Sequence, residues 1–139
     1  MGRKENVENT LKPHSVSTIL FSGRFDPPGA SHIATITRLH HELKRVIVVV
    51  LHNKNRRWPA DFAVQIFKEV FYWCKNVEII KNTTHFAEIE KKELDSYGAD
   101  YYAAGNIRVL NHIAQLMPVV YVDRAYGLSS SRYKDPVQE

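Results

Sequence analysis

A glycine-bounded segment ending in a histidine is the first place in this chain where residue types and spacing could do chemistry. It reads Gly23-Arg24-Phe25-Asp26-Pro27-Pro28-Gly29-Ala30-Ser31-His32 and follows directly on an apolar run. If that run is a strand and the next residues a helix, His32 lies in the helix's first turn. Helix N-termini attract phosphate through unpaired backbone N–H groups and the macrodipole, and Gly23 and Gly29 let the backbone approach an anion closely. A histidine at a helix start can also serve as a cap or a packing residue.

A second segment of matching chemistry lies near the end of the chain, Val122-Asp123-Arg124-Ala125-Tyr126-Gly127-Leu128-Ser129-Ser130-Ser131. Hydroxyls and backbone N–H groups at a helix start offer donors to a polyphosphate, and Arg124 adds charge-assisted bonds. Taken alone, three serines are a solvated loop; behind a strand and paired with the first segment they are a stronger signal. Between the two lies Gly105-Asn106, where the Asn106 amide can read a base edge or a ribose through donor and acceptor together, or can cap the helix that begins at Ile107. A cationic stretch, His52-Asn53-Lys54-Asn55-Arg56-Arg57-Trp58-Pro59, completes the set. Charge clusters of this kind are also found on plain solvated faces. His40, His41, His85 and His112 show no ligand spacing, so no protein metal site is expected from them.

These segments need a scaffold that gathers them, and the hydropathy pattern supplies one. Residues 17 to 22 and 46 to 51 read as strands, the second β-branched with no polar face, as for a strand covered on both sides. Between them Ile33, Ile36, Leu39 and Leu43 recur at helical spacing, with Ser31 placed to act as N-cap. Phe62, Ile66, Val70 and Trp73 mark one face of a next helix, started by Trp58 and by Pro59 at its first position. A strand at 77 to 81, a weaker helix around 86 to 94 and a strand at 101 to 104 follow. A helix marked by Ile107, Leu110, Ile113 and Met117 then leads through Pro118 into a strand at 119 to 122. Five strands alternating with four helices imply an α/β, Rossmann-like, doubly wound five-stranded parallel sheet with helices on both faces. Right-handed crossovers then bring every strand's C-terminal end, and every segment named above, to one edge.

At 139 residues and 44% hydrophobic content the chain suits one core and one domain, expected over 18–139 behind a flexible N-terminal tail over 1–17. The formal charge of +4 fits a handler of anions, although fifteen acidic residues offset it. The single cysteine, Cys74, excludes an internal disulfide and a thiolate zinc site and reads as a bland buried thiol. No apolar run approaches the ~20 residues that cross a bilayer, and the first residues lack a signal-peptide apolar stretch, so a cytoplasmic protein without a membrane partner is expected. Arg56 and Arg57, without an aromatic stacking motif, do not make a nucleic-acid-binding module.

The first segment resembles the nucleotidyltransferase superfamily, whose leading loop reads G-x-F-D-x-x-H-x-G-H. Gly23, Phe25, Asp26 and His32 match, Gly29 stands at the first histidine and Ser31 at the glycine. The second segment is similar to the R-T-E-G-I-S-T stretch of cytidylyltransferases, with Arg124, Gly127, Leu128 and Ser129 in place, and the whole resembles the glycerol-3-phosphate cytidylyltransferases. The resemblance implies transfer of a nucleotidyl group, CMP slightly favoured over AMP, from a nucleoside triphosphate with Mg2+ to a phosphorylated or alcohol acceptor, releasing pyrophosphate. It implies catalytic roles for His32, Lys54 (with Arg57 next) and Arg124. It implies nucleotide contacts from Gly23, Arg24, Phe25, Asp26, Gly29, Ser31, Gly105, Asn106, Gly127, Leu128, Ser129, Ser130 and Ser131, with Asn106 replacing an acidic residue. A homodimer is expected on the same ground. The missing first histidine leaves a rival reading open, a nucleotide-binding protein that kept the fold and lost turnover.

Overall fold

The computed structural model describes residues 17–51, 55–82 and 88–122. Five strands, β1 (Thr18–Gly23), β2 (Arg45–Leu51), β3 (Val77–Asn82), β4 (Tyr101–Ala104) and β5 (Val119–Tyr121), pair in parallel in the order β3-β2-β1-β4-β5. The four helices among the described residues are α1 (Ala30–Glu42), α2 (Ala60–Val70), α3 (Lys91–Tyr97) and α4 (Ile107–Ile113). The chain steps outward from β1 to β3, then returns to the other side of β1 for β4 and β5. That reversal is a topological switch point between β1 and β4, where open sheets of this class bind ligands.

Period-two alternation along the strands divides the core into two layers. Ile19 and Phe21 of β1, with Val46, Val48 and Val50 of β2, face α1 and α2 and pack on Ile36, Leu39, Ala63 and Phe67. Leu20, Ile47, Val49 and Tyr102 face the opposite way, onto Leu94, Val109, Leu110 and Ile113 of α3 and α4. The run VIVVVL of β2 is buried throughout, because helices cover the sheet on both sides.

Five local expectations shift. Helix α1 begins one residue after Gly29, not after Ser31: the Ile33 N–H bonds the Gly29 carbonyl at 3.1 Å, so Gly29 is the N-cap and Ser31 is a buried residue of the first turn. Pro59 likewise precedes its helix as N-cap, its carbonyl accepting the Phe62 N–H at 3.0 Å, and Ala60 takes the first position. Helix α2 is apolar on more than one face, and the sheet takes the slimmer one. Ala60, Ala63 and Phe67 are buried, whereas Phe62 is 39% exposed and Trp73, beyond the helix end, is 55% exposed. Small alanines let α2 lie close to the strands, which the bulkier row would not. The weak helix expected around 86 to 94 starts later, with Glu90 as N-cap, and ends at Gly98, which takes the left-handed φ of 69° that glycine adopts without steric cost. Met117 follows α4 in a turn rather than lying within it.

Candidate active site

Helix α1 and the loop before it stand at the C-terminal edge of the sheet, directly behind β1. Gly23 ends that strand because nothing larger fits: a Cβ there would sit 2.9 Å from the ring of Phe25. Phe25 takes a left-handed φ of 48° and turns its ring inward, where it is 3% exposed. The ring makes edge contacts with Phe21 (5.5 Å), Phe67 (4.9 Å) and the His32 imidazole (4.9 Å) between ring centres. Burial of this ring offsets the positive φ, which a bulky residue rarely adopts. The Asp26–Pro27 peptide is cis.

His32 carries both roles that its position allowed. Its Nδ1 accepts the Gly29 N–H at 2.9 Å, closing one orphan donor of the helix start. Because Nδ1 is the acceptor, the proton of the neutral ring belongs on Nε2, which is therefore a donor. The cap thus sets the tautomer that a phosphate oxygen would need. Gly29 has no side chain to return the bond, but its backbone is ordinary: φ is −122° and ψ 177°, and a Cβ would meet only His32 Nδ1, at 3.7 Å. Ser31, in the same turn, has a buried Oγ without a hydrogen-bond partner among the described residues.

Asp26 is spent on architecture. Its Oδ2 accepts the Arg57 N–H and its Oδ1 the Trp58 N–H, each at 2.7 Å, and Arg24 Nη2 approaches Oδ2 at 3.4 Å. Burial alone would raise the Asp26 pKa, but the two N–H groups, then the Arg56 and Arg24 guanidinium groups, outweigh it and hold the carboxyl below the ordinary aspartate value. A depressed folded-state pKa gives stability that is fully present above the unfolded value, near 3.9, and is lost as pH falls through the folded one. Asp26→Asn should therefore melt below wild type near neutral pH, with the gap closing as pH drops under about 4. Thermal midpoints of both proteins from pH 3 to 7 check this; a gap independent of pH would remove the carboxylate from the account. Among the described residues no group of three or more His, Cys, Asp or Glu could hold a metal ion.

The second loop to reach this edge follows β2. Arg57 and Trp58 lend it their N–H groups, and Trp58, 44% exposed, stacks on Phe62 with ring centres 5.1 Å apart. Arg56, which the sequence offers as part of a cationic surface, is instead buried, its side chain 3% exposed. Nothing in its type or spacing separates it from Arg57; only the fold does. Arg24 stays half exposed, bonded to Asp26 and to the Asn55 carbonyl at 3.3 Å.

On the far side of the switch point, Gly105 follows β4 and Asn106 caps α4. Asn106 Oδ1 accepts the N–H groups of Arg108 (2.8 Å) and Val109 (3.4 Å), leaving the amide NH2 as the part that could meet a ligand. The cap expected as one alternative is thus present. Lys54, Arg124, Gly127, Leu128, Ser129, Ser130 and Ser131 lie outside the described residues, as does His85. Two other histidines serve local structure: His40 Nδ1 pairs with Asn76 Oδ1 at 2.6 Å at the opposite edge, and His112 Nε2 lies 3.4 Å from the Ile89 carbonyl. Cys74 is buried, which pushes its thiol pKa up, away from reactivity. No helix among the described residues is long and apolar enough to cross a membrane.

Comparison with curated proteins yields no significant match. The sequence model of the cytidylyltransferase-like family does match, over residues 20–135, and supports a nucleotidyltransferase type of function. With a five-stranded parallel sheet, a glycine-bounded loop behind its central strand and a family match over most of its length, this chain belongs to the cytidylyltransferase-like family.

Proposed function

We propose that this protein transfers a nucleotidyl group, CMP favoured over AMP, from a magnesium-bound nucleoside triphosphate to a phosphorylated or alcohol acceptor. The acceptor oxygen attacks the α-phosphorus, the bond to the oxygen bridging to the β-phosphate breaks, and pyrophosphate leaves; an alcohol acceptor gives up its proton to solvent water. The observation that carries this reading is His32, held by the Gly29 N–H so that its Nε2 is the donor, in the first turn of a thirteen-residue helix directly behind the central strand. Backbone donors, the macrodipole and one oriented imidazole suit a reaction whose catalysis is positioning and electrostatic stabilisation. Lys54 and Arg124 would steady the triphosphate and leaving group. Gly23, Gly29 and Ser31 would line the phosphates, with Asn106 and the segment from Gly127 to Ser131 on the nucleotide's other side. Magnesium would be carried by the oxygens of the triphosphate itself.

A second reading, a nucleotide-binding protein without turnover, is favoured by Gly29 in place of the family's first histidine. Both readings require the nucleotide site. A ligand that binds only the folded state raises its stability by mass action, about 2.7 kcal/mol at a hundredfold excess over Kd. CTP or ATP with Mg2+ should therefore raise the thermal midpoint by several degrees, and a screen of the four triphosphates at millimolar concentration measures it. No shift with any of them would end both readings. Pyrophosphate release from the same triphosphates with phosphorylated alcohols then separates the two.

A further inference from the structure

Two loops from different strands are clasped together at the C-terminal edge, and one buried side chain makes most of the clasp. The Arg56 guanidinium donates to four backbone carbonyls: Nε to Trp58 at 2.7 Å, Nη1 to Leu51 at 3.1 Å and to Arg24, and Nη2 to Phe25 at 3.2 Å. Its Nη2 lies 3.9 Å from Asp26 Oδ1, and Asp26 answers by accepting the Arg57 and Trp58 N–H groups. The β1–α1 loop thus gives its carbonyls to the β2–α2 loop and takes that loop's N–H groups in exchange. A buried guanidinium is costly unless its fork of donors is matched, and here the fork meets four carbonyls and a carboxylate.

The peptide plane fixes what this does to the other side of the loop. In a trans peptide the C=O and the following N–H point in opposite directions. With the Arg24 and Phe25 carbonyls drawn to Arg56, the N–H groups of Phe25 and Asp26 are turned away from it. Neither has a hydrogen-bond partner among the described residues. Successive N–H groups around a residue of left-handed conformation, as Phe25 is with φ 48°, form a concavity that suits an anion. We propose that Arg56 is a positioning residue: it contacts no phosphate, and by gathering the loop's carbonyls it holds the Phe25 and Asp26 N–H groups toward a phosphate of the bound nucleotide. This rests on the nucleotide-binding reading above. It also assigns opposite fates to neighbouring arginines, since the Arg56 charge is consumed inward while that of Arg57 faces solvent.

Arg56→Lys is the informative variant, because an ammonium keeps the charge but cannot span carbonyls arranged around a planar fork. Arg56→Met, which keeps the apolar stem, is its companion should the lysine variant fail to fold. Each protein is titrated well below its melting temperature with CTP, ATP and inorganic tripolyphosphate in the presence of Mg2+. Affinity is read by calorimetry, and the Phe25 and Asp26 amide resonances by NMR. Wild type should move both amides on binding, and either variant should weaken triphosphate by about tenfold or more and lose the two amide responses. A role confined to stability would lower the melting temperature and leave affinity and amide responses as in wild type; that result overturns the proposal while sparing the nucleotide site. Wild type that binds none of the three probes refutes the nucleotide reading, and this proposal with it.

Discussion

Replacing His32 with alanine should lower turnover by on the order of 10²-fold or more while changing nucleotide affinity much less. In the proposed reaction the Nε2 donor would meet charge that grows on the transferring phosphate, and an interaction strengthened only in the transition state appears in kcat rather than in binding. The substitution also removes the bond from the Gly29 N–H to Nδ1, which costs about 0.5–2 kcal/mol as the loss of a helix cap, so rates are compared well below the melting temperature. Gly29→His is the complementary arm. With φ at −122° and the would-be Cβ in no more than ordinary contact with His32 Nδ1 at 3.7 Å, the backbone accepts the family's histidine without strain, and an active enzyme should gain from a second phosphate donor. Steady-state pyrophosphate release over a panel of acceptors measures all three proteins. Background rates in every one would leave the binding protein as the surviving reading.

The largest loss of stability is expected from Phe25→Ala, about 3–5 kcal/mol on the scale of buried aromatic truncations. Against a total stability of about 5–15 kcal/mol for a domain, that is a substantial share. The ring fills the space under the loop, with Phe21, Phe67 and His32 each meeting it edge-on. Its loss also removes the close contact that forbids a Cβ at Gly23, so Gly23→Ala, destabilising in wild type, should be tolerated better in the Phe25→Ala background. Urea titrations of the single and double variants give the coupling directly. Additive losses would mean that Gly23 is required for some reason other than this ring.

What the sequence determined by itself was set by short-range periodicity. Val46 to Leu51 read as a strand covered on both faces, and Ile36 and Leu39 as one side of a helix facing a sheet, so the alternation of strands and helices and the parallel edge followed. The Gly23-to-His32 segment was legible for the same reason: its chemistry is contiguous, and a strand leading into a helix puts His32 in the first turn whatever else the chain does. Start positions were harder, because whether Gly29 or Ser31 caps α1 depends on His32 folding back 2.9 Å onto a backbone N–H. The buried face of α2 is not its bulkiest one: hydrophobic size ranks Phe62 and Trp73 above Ala60 and Ala63, whereas close helix-to-sheet packing selects the small residues. Only the tertiary structure could separate Arg56 from Arg57. Their types and local spacing are equivalent, and the difference arises from carbonyls at Arg24 and Phe25, about thirty residues away in sequence, which reach Arg56 because parallel pairing sets the ends of β1 and β2 side by side.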